Sequence, residues 1–139
     1  MKNILLFGLF CVLLSPATFG QASNVAHETI IVGGIEQVKL DLGTKDVEIK
    51  STKGSRIVVE SHVIISLPNE TLLHYLIESG RYGLETSIDP ASSTITLSRK
   101  RNSNILIVKG EQCIEQFSYI IFVPETIKFT EEIYSAIEE

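Results

Sequence analysis

At 139 residues, 44% of them apolar, the chain has material for one ordinary domain with its own core. Seventeen acidic against twelve basic residues, a formal net charge of −5, exclude sequence-independent nucleic-acid binding, which needs a basic footprint. Two cysteines, Cys11 and Cys113, exclude a disulfide-rich scaffold.

Met1 to Gly20 reads as an export signal. Lys2 gives a positive start, Ile4 to Leu14 is an unbroken apolar run, and Pro16 ends it before small residues suited to a signal peptidase. The run is too short to span a bilayer, because crossing about 30 Å of hydrocarbon at about 1.5 Å per residue takes roughly 20 residues. Cleavage fits after Gly20, with Thr18 third from the cut, or after Ala22, with Gly20 in that role; the first register is preferred. Cys11 sits inside the apolar run behind bulky Phe10, too early for a lipid-modified terminus. The mature part, 21–139, keeps eleven basic and all seventeen acidic residues, a formal charge of −6. It also keeps one cysteine, Cys113, which has no cation among Gln112, Ile114, Glu115 and Gln116 to activate it. Burial without a disulfide is expected there.

Short alternating runs separated by turn residues predict a mainly β domain. Thr29 to Val32 opens a strand that Gly33-Gly34 interrupts as a bulge or turn. Val38, Leu40 and Leu42 alternate with Lys39 and Asp41, and Val47 and Ile49 alternate with Asp46, Glu48 and Lys50. A turn at Ser51 to Ser55 leads into Arg56 to Leu67, where Ile57, Val59, Val63 and Ile65 share one face and Glu60 and His62 the other. Ile95 and Leu97 alternate with Thr94, Thr96 and Ser98; Arg101 to Asn104 turns the chain into Ile105 to Val108. Phe117, Tyr119, Ile121 and Val123 line one face of a last long strand and Ile120 and Phe122 the other, which predicts a central strand covered on both sides.

One segment breaks this rhythm. Pro68 ends a strand, Asn69 is a helix N-cap, and Leu72, Leu73, Leu76 and Ile77 share one side of a 3.6-residue period until Gly80. A short amphipathic helix over 70–79 is predicted, with its stripe packed on the sheet. Asn69-Glu70-Thr71 also matches a glycosylation acceptor, incidental in a bacterial chain. Thr130 to Glu139 fits a last helical turn pair or a frayed strand equally well.

Candidate chemistry is sparse. His27, His62 and His74 show none of the spacings of a metal motif, and surface positions are expected for all three. Glu60 and His62 form a possible base and orienter, without a nucleophile singled out by the sequence. Gly33-Gly34 lacks the third glycine, lysine and helix of a phosphate loop, and Asp41, Asp46 and Glu48 lack the spacing of a calcium loop. Arg99, Lys100 and Arg101 read as a solvated turn, with an anionic surface as the alternative target. No catalytic, cofactor or metal set is predicted.

The runs Val38-Lys39-Leu40-Asp41-Leu42-Gly43, Asp46-Val47-Glu48-Ile49 and Ile57-Val58-Val59-Glu60, a helix, and then Tyr119-Ile120-Ile121-Phe122-Val123-Pro124-Glu125 follow one another in order. Together, over about Ile30 to Phe129, they resemble the N-terminal part of exported adhesin-like domains of unknown function, the head-GIN type of Bacteroidetes-type bacteria. The resemblance implies a stacked, solenoid-like β architecture with a cell-envelope role, and it carries no catalytic residues. Members of that type continue with further short strands beyond the Val-Pro segment. The sequence stops at Glu139, so a truncated stack is expected, whose exposed C-terminal edge along Tyr119 to Val123 meets itself or another envelope protein.

The expectation is therefore a signal peptide over 1–20 and one β-rich domain over 21–139. It is non-enzymatic and exported to the periplasm, cell surface or medium, with no transmembrane segment after signal removal and an unidentified partner. The alternatives are a periplasmic hydrolase-associated subunit built on Glu60 and His62, and a binding module for a small ligand. For the latter, the absence of Trp leaves few stacking platforms.

Overall fold

The computed structural model describes residues 20–100 and 104–129. The leader 1–19 with its cleavage signals and Cys11, the residues Arg101 to Ser103, and the helix-or-strand question at 130–139 lie outside the described residues.

The elements run β1 (Ala22–Ile31), β2 (Gln37–Asp41), β3 (Val47–Thr52), β4 (Arg56–Ile65), α1 (Glu70–Glu78), β5 (Leu84–Asp89), β6 (Thr94–Arg99), β7 (Ile107–Val108), β8 (Glu111–Gln112), β9 (Glu115–Pro124) and β10 (Lys128–Phe129). The described residues are mainly β with one short helix, as the alternation predicts. The first sheet has the order β1-β4-β9-β3, the second β10-β2-β6-β5, and β7 with β8 forms a small hairpin. In the first sheet β4 runs antiparallel to β1 and β9, while β3 runs parallel to β9. In the second, β2 lies parallel to β6 and β10, and β5 antiparallel to β6.

The two sheets face each other across one core. Val38 and Leu40 of β2 and Ile95 and Leu97 of β6 meet Ile57 and Val59 of β4 and Tyr119, Ile121 and Val123 of β9 in a single buried cluster. Every second residue of these strands points inward, and burying each such side chain contributes about 1.5–3 kcal/mol of transfer free energy. One row across the first sheet, Ala26, Ser61, Tyr119, sets two small side chains beside a large one, and Ser61 and Tyr119 are both buried.

A second cluster seats the helix. Leu73 and Leu76 of α1 pack with Ala22, Val63, Ile65, Tyr82 and Cys113, so the stripe lies against the sheet as its spacing predicts. The Asn69 side chain accepts a 2.9 Å hydrogen bond from the Leu72 N–H, and Gly80 at φ +78° ends the helix. Cys113 is buried there as a free thiol. Val32-Gly33-Gly34-Ile35 is a turn, closed by a 3.1 Å bond from Ile35 N–H to Val32 carbonyl, with Gly34 at φ +76°.

Two details differ from the sequence reading. Ile120 and Phe122 are half-buried, because among the described residues the helix packs at one end of the sandwich instead of covering the outer face of β9. Tyr119 to Val123 is not an edge either: β9 is bonded on both sides, and the edge strands of the two sheets are β1, β3, β5 and β10. None of the described helices is long and apolar enough to cross a membrane.

Candidate functional site

Since Val59, Ser61, Val63 and Ile65 of β4 point into the core, Val58, Glu60, His62 and Ile64 point out. The register then fixes what stands beside them. His27 of β1 lies directly opposite Glu60, and beyond Glu60 the same row continues through Ile120 of β9 to Glu48 of β3. The next row sets Val25, His62 and Ser118 side by side, and the row on the other side sets Thr29, Val58, Phe122 and Lys50. The Lys50 ammonium lies 5.8 Å from the Phe122 ring centre. This outer face mixes apolar side chains with one compact polar group at its middle.

That group is His27, Glu60 and His62. His27 Nε2 is 3.7 Å from Glu60 Oε1, and His62 Nε2 is 3.7 Å from Glu60 Oε2. Both separations exceed a hydrogen bond. His62 Nε2 is shielded from solvent and has no hydrogen-bond partner, a condition that costs on the order of 1–3 kcal/mol. Sequence reasoning paired Glu60 with His62 by period two and missed His27, whose place depends on a cross-strand register 33 positions away that no local spacing reports. Ser118 is also brought opposite His62, yet no hydrogen bond joins them, and the His62 nitrogen facing Glu60 is the one a nucleophile would need. His74 stands apart on α1, 3.1 Å from Glu78.

A second polar cluster, also missed, lies where β9 begins. Arg81 donates to both Glu115 oxygens, at 2.8 and 3.0 Å, and to the Asn104 carbonyl at 3.0 Å. The Tyr82 hydroxyl donates to Glu115 Oε1 at 2.7 Å. Burial opposes ionisation of Glu115, but the hydrogen bonds from Arg81 and Tyr82 outweigh it and hold its pKa below the ordinary value. The Glu115 hydrogen bond raises Arg81, and burial, reinforced by Glu115, raises the Tyr82 phenol. Tyr119, raised by burial, sits at about 12. Every member of the Arg81–Glu115–Tyr82 group is satisfied, so its work is to fasten the α1–β5 connection to β9.

The remaining sequence candidates disperse. Arg99 stacks on the Phe117 ring at 4.4 Å and the Lys100 ammonium donates to the Gly80 carbonyl at 3.3 Å; Arg101 lies outside the described residues. Asp41 points outward from the second sheet and Glu48 from the first. A depression of about 100 Å³ beside Ile64 and Ile114 is well below the roughly 300 Å³ of a small-molecule site. Among the described residues no group of three or more His, Cys, Asp or Glu side chains could hold a metal ion. Compared with protein-family models, curated proteins and solved structures, the chain gives no match.

Proposed function

We propose that the chain is an exported, non-enzymatic domain of the cell envelope, adhesin-like in kind, that works by presenting a sheet face and its edges to another protein. The observation that carries this reading is the outer face of the first sheet. Val58, Ile120 and Phe122 are half-buried there with no second layer over them among the described residues, next to the unpaired outer sides of β1 and β3. The leader-like first twenty residues supply the address. The first described core side chain is Ala22, which favours cleavage after Gly20 because the alternative register would remove it. The parallel pairings of β2 with β6 and of β3 with β9 fit two turns of a stack, in keeping with the head-GIN resemblance.

The test is fractionation with mass measurement of the recovered protein, combined with photo-crosslinking from position 122 in intact cells. The expected result is an envelope or secreted species beginning at Gln21 and a discrete crosslinked band. A cytoplasmic protein with an intact N-terminus removes the export reading, and an envelope species without any crosslink removes the recognition surface.

The hydrolase-associated reading draws on the juxtaposition of Ser118, His62 and Glu60. It requires that Ser118→Ala abolish a hydrolytic activity towards ester or peptide substrates; a chain with no such activity, or one that Ser118→Ala leaves unchanged, disposes of it.

A further inference from the structure

Three of the four edge strands among the described residues are defended against pairing with another chain. β3 carries Glu48 and Lys50, β5 carries Glu85 and Asp89, and β10 is two residues long. Charge and shortness are the usual protections of a free edge. β1 has neither. It is ten residues long and contains no Lys, Arg or Pro, and its one formal charge, Glu28, accepts the Leu84 N–H of its own chain.

The open side of β1 is marked by its own side chain. The Asn24 side chain accepts the Val25 N–H at 2.8 Å, in place of an acceptor on β4. Alternate residues of an antiparallel strand turn their N–H and C=O the same way, so Ser23, Val25, His27 and Thr29 present theirs away from β4. Ser23, His27 and Thr29 are exposed, and so is Asn24 although it holds an inward position.

We propose that β1 pairs antiparallel with β1 of a second copy of this chain, with Ala26 on the two-fold axis. Side chains directly opposite each other lie on one face of a continuous sheet, which puts the axis at a residue and not between two. At Glu28 the axis would oppose two carboxylates, and at His27 two imidazoles; at Ala26 no titratable groups of one kind meet. His27 then faces Val25 of the second copy, Thr29 faces Ser23, Ile30 faces Ala22 and Glu28 faces Asn24. The last pair is complementary: once the Val25 N–H bonds to the second strand, the Asn24 amide is released to donate to the Glu28 carboxylate. Ile31, 74% exposed, comes beside Gln21 of the second copy, at the rim of the depression that Ile64 and Ile114 line. The pairing deepens the function proposed above, resting on its open sheet edges, and leaves the Phe122 face to another protein.

The test measures the mass of the protein recovered from cells by sedimentation, from micromolar to millimolar concentration, with amide exchange read at both ends of the range. The expected result is a dimer whose formation slows exchange at Ser23, His27 and Thr29 at least tenfold more than at Ala26 and Glu28, which are bonded to β4 in either state. Val25→Lys should raise the dimer dissociation constant at least tenfold; if it fails to melt cooperatively, His27→Lys takes its place. Glu48→Lys, on the β3 edge, should dimerise as the parent does. Ala26→Cys should give a disulfide-linked dimer with oxidised glutathione, because the Cα atoms of a non-hydrogen-bonded pair stand about 4.5 Å apart, and Thr29→Cys should not. A monomer at every concentration, a dimer whose β1 amides exchange as fast as the monomer's, a crosslink through Thr29→Cys and not Ala26→Cys, or an equal loss in Glu48→Lys overturns the proposal. A monomer that still crosslinks from position 122 overturns the pairing alone, and a dimer confined to the cytoplasm supports the pairing while removing the envelope function.

Discussion

Arg81 and Glu115, 34 positions apart in the chain, meet in a two-pronged ion pair, Nε to Oε1 at 2.8 Å and Nη2 to Oε2 at 3.0 Å. Their side chains are only 15% and 17% exposed, and Tyr82 adds a third bond to the same carboxylate. Replacing Glu115 with Ala takes the carboxylate from a guanidinium that keeps its bond to the Asn104 carbonyl, and removes the acceptor of the Tyr82 phenol, in a largely dry place. The expected loss is about 2–3 kcal/mol of unfolding free energy, measured by denaturant titration.

The same group sets a pH dependence at both ends of the scale. Glu115 titrates below its ordinary value of 4.5 in the folded chain, so the unfolded chain takes up its proton first as pH falls. The stabilisation is present above about pH 4.5 and is lost as pH falls through the depressed folded value. Tyr82 behaves in the opposite sense: its phenol is raised above 10, so its contribution holds below pH 10 and declines as pH rises beyond it. Urea midpoints measured from pH 2 to 11 should fall at both ends, and Glu115→Gln should flatten the acid limb.

Leu73 is fully buried in the cluster that seats α1 on the sheet. Leu73→Ala should cost about 2–5 kcal/mol, from lost transfer free energy and the cavity left behind. Asn69→Ala removes the helix cap and should cost about 1 kcal/mol. The two costs, read as shifts in the denaturant midpoint, should differ severalfold, because one removes core and the other a surface hydrogen bond.

Ser61 is buried beside Tyr119, with Ala26 on its other side, so its small volume leaves room for the neighbouring ring. Ser61→Ile has no space to enter and should destabilise by about 1–3 kcal/mol. Phe122→Ser, on the outer face, should leave the melting temperature nearly unchanged while weakening partner crosslinking from a photo-reactive group at position 120. Equal melting for the two variants would contradict the assignment of inner and outer faces.

The strands that the sequence displays most plainly are those that bury one face: Val38 and Leu40, Ile57 to Ile65, Ile95 and Leu97, and Phe117 to Val123 alternate because the core touches every second side chain. The helix was equally legible, from Asn69, its leucines and Gly80. The first half of β1 was not. At that edge of the sandwich the inward positions are Asn24, Ala26 and Glu28, and Glu28 uses its carboxylate to accept the Leu84 N–H at 3.1 Å. β5 hid for a related reason, since Thr86 and Ile88 stay exposed although they belong to its inward side. The parallel pairing of β2 with β6, and the meeting of His27 with Glu60, are long-range choices of register that no local pattern encodes.

The place of β9 has a bearing on how the chain is made. It bonds to β3 on one side and β4 on the other, and β3 has no other neighbour in its sheet. A ribosome releases residues 115–124 after every other long strand, so a nascent chain that ends before them holds β3 with nothing to pair to. The first sheet therefore closes as one late event. Any early stop that removes β9 leaves a fragment with half a sheet.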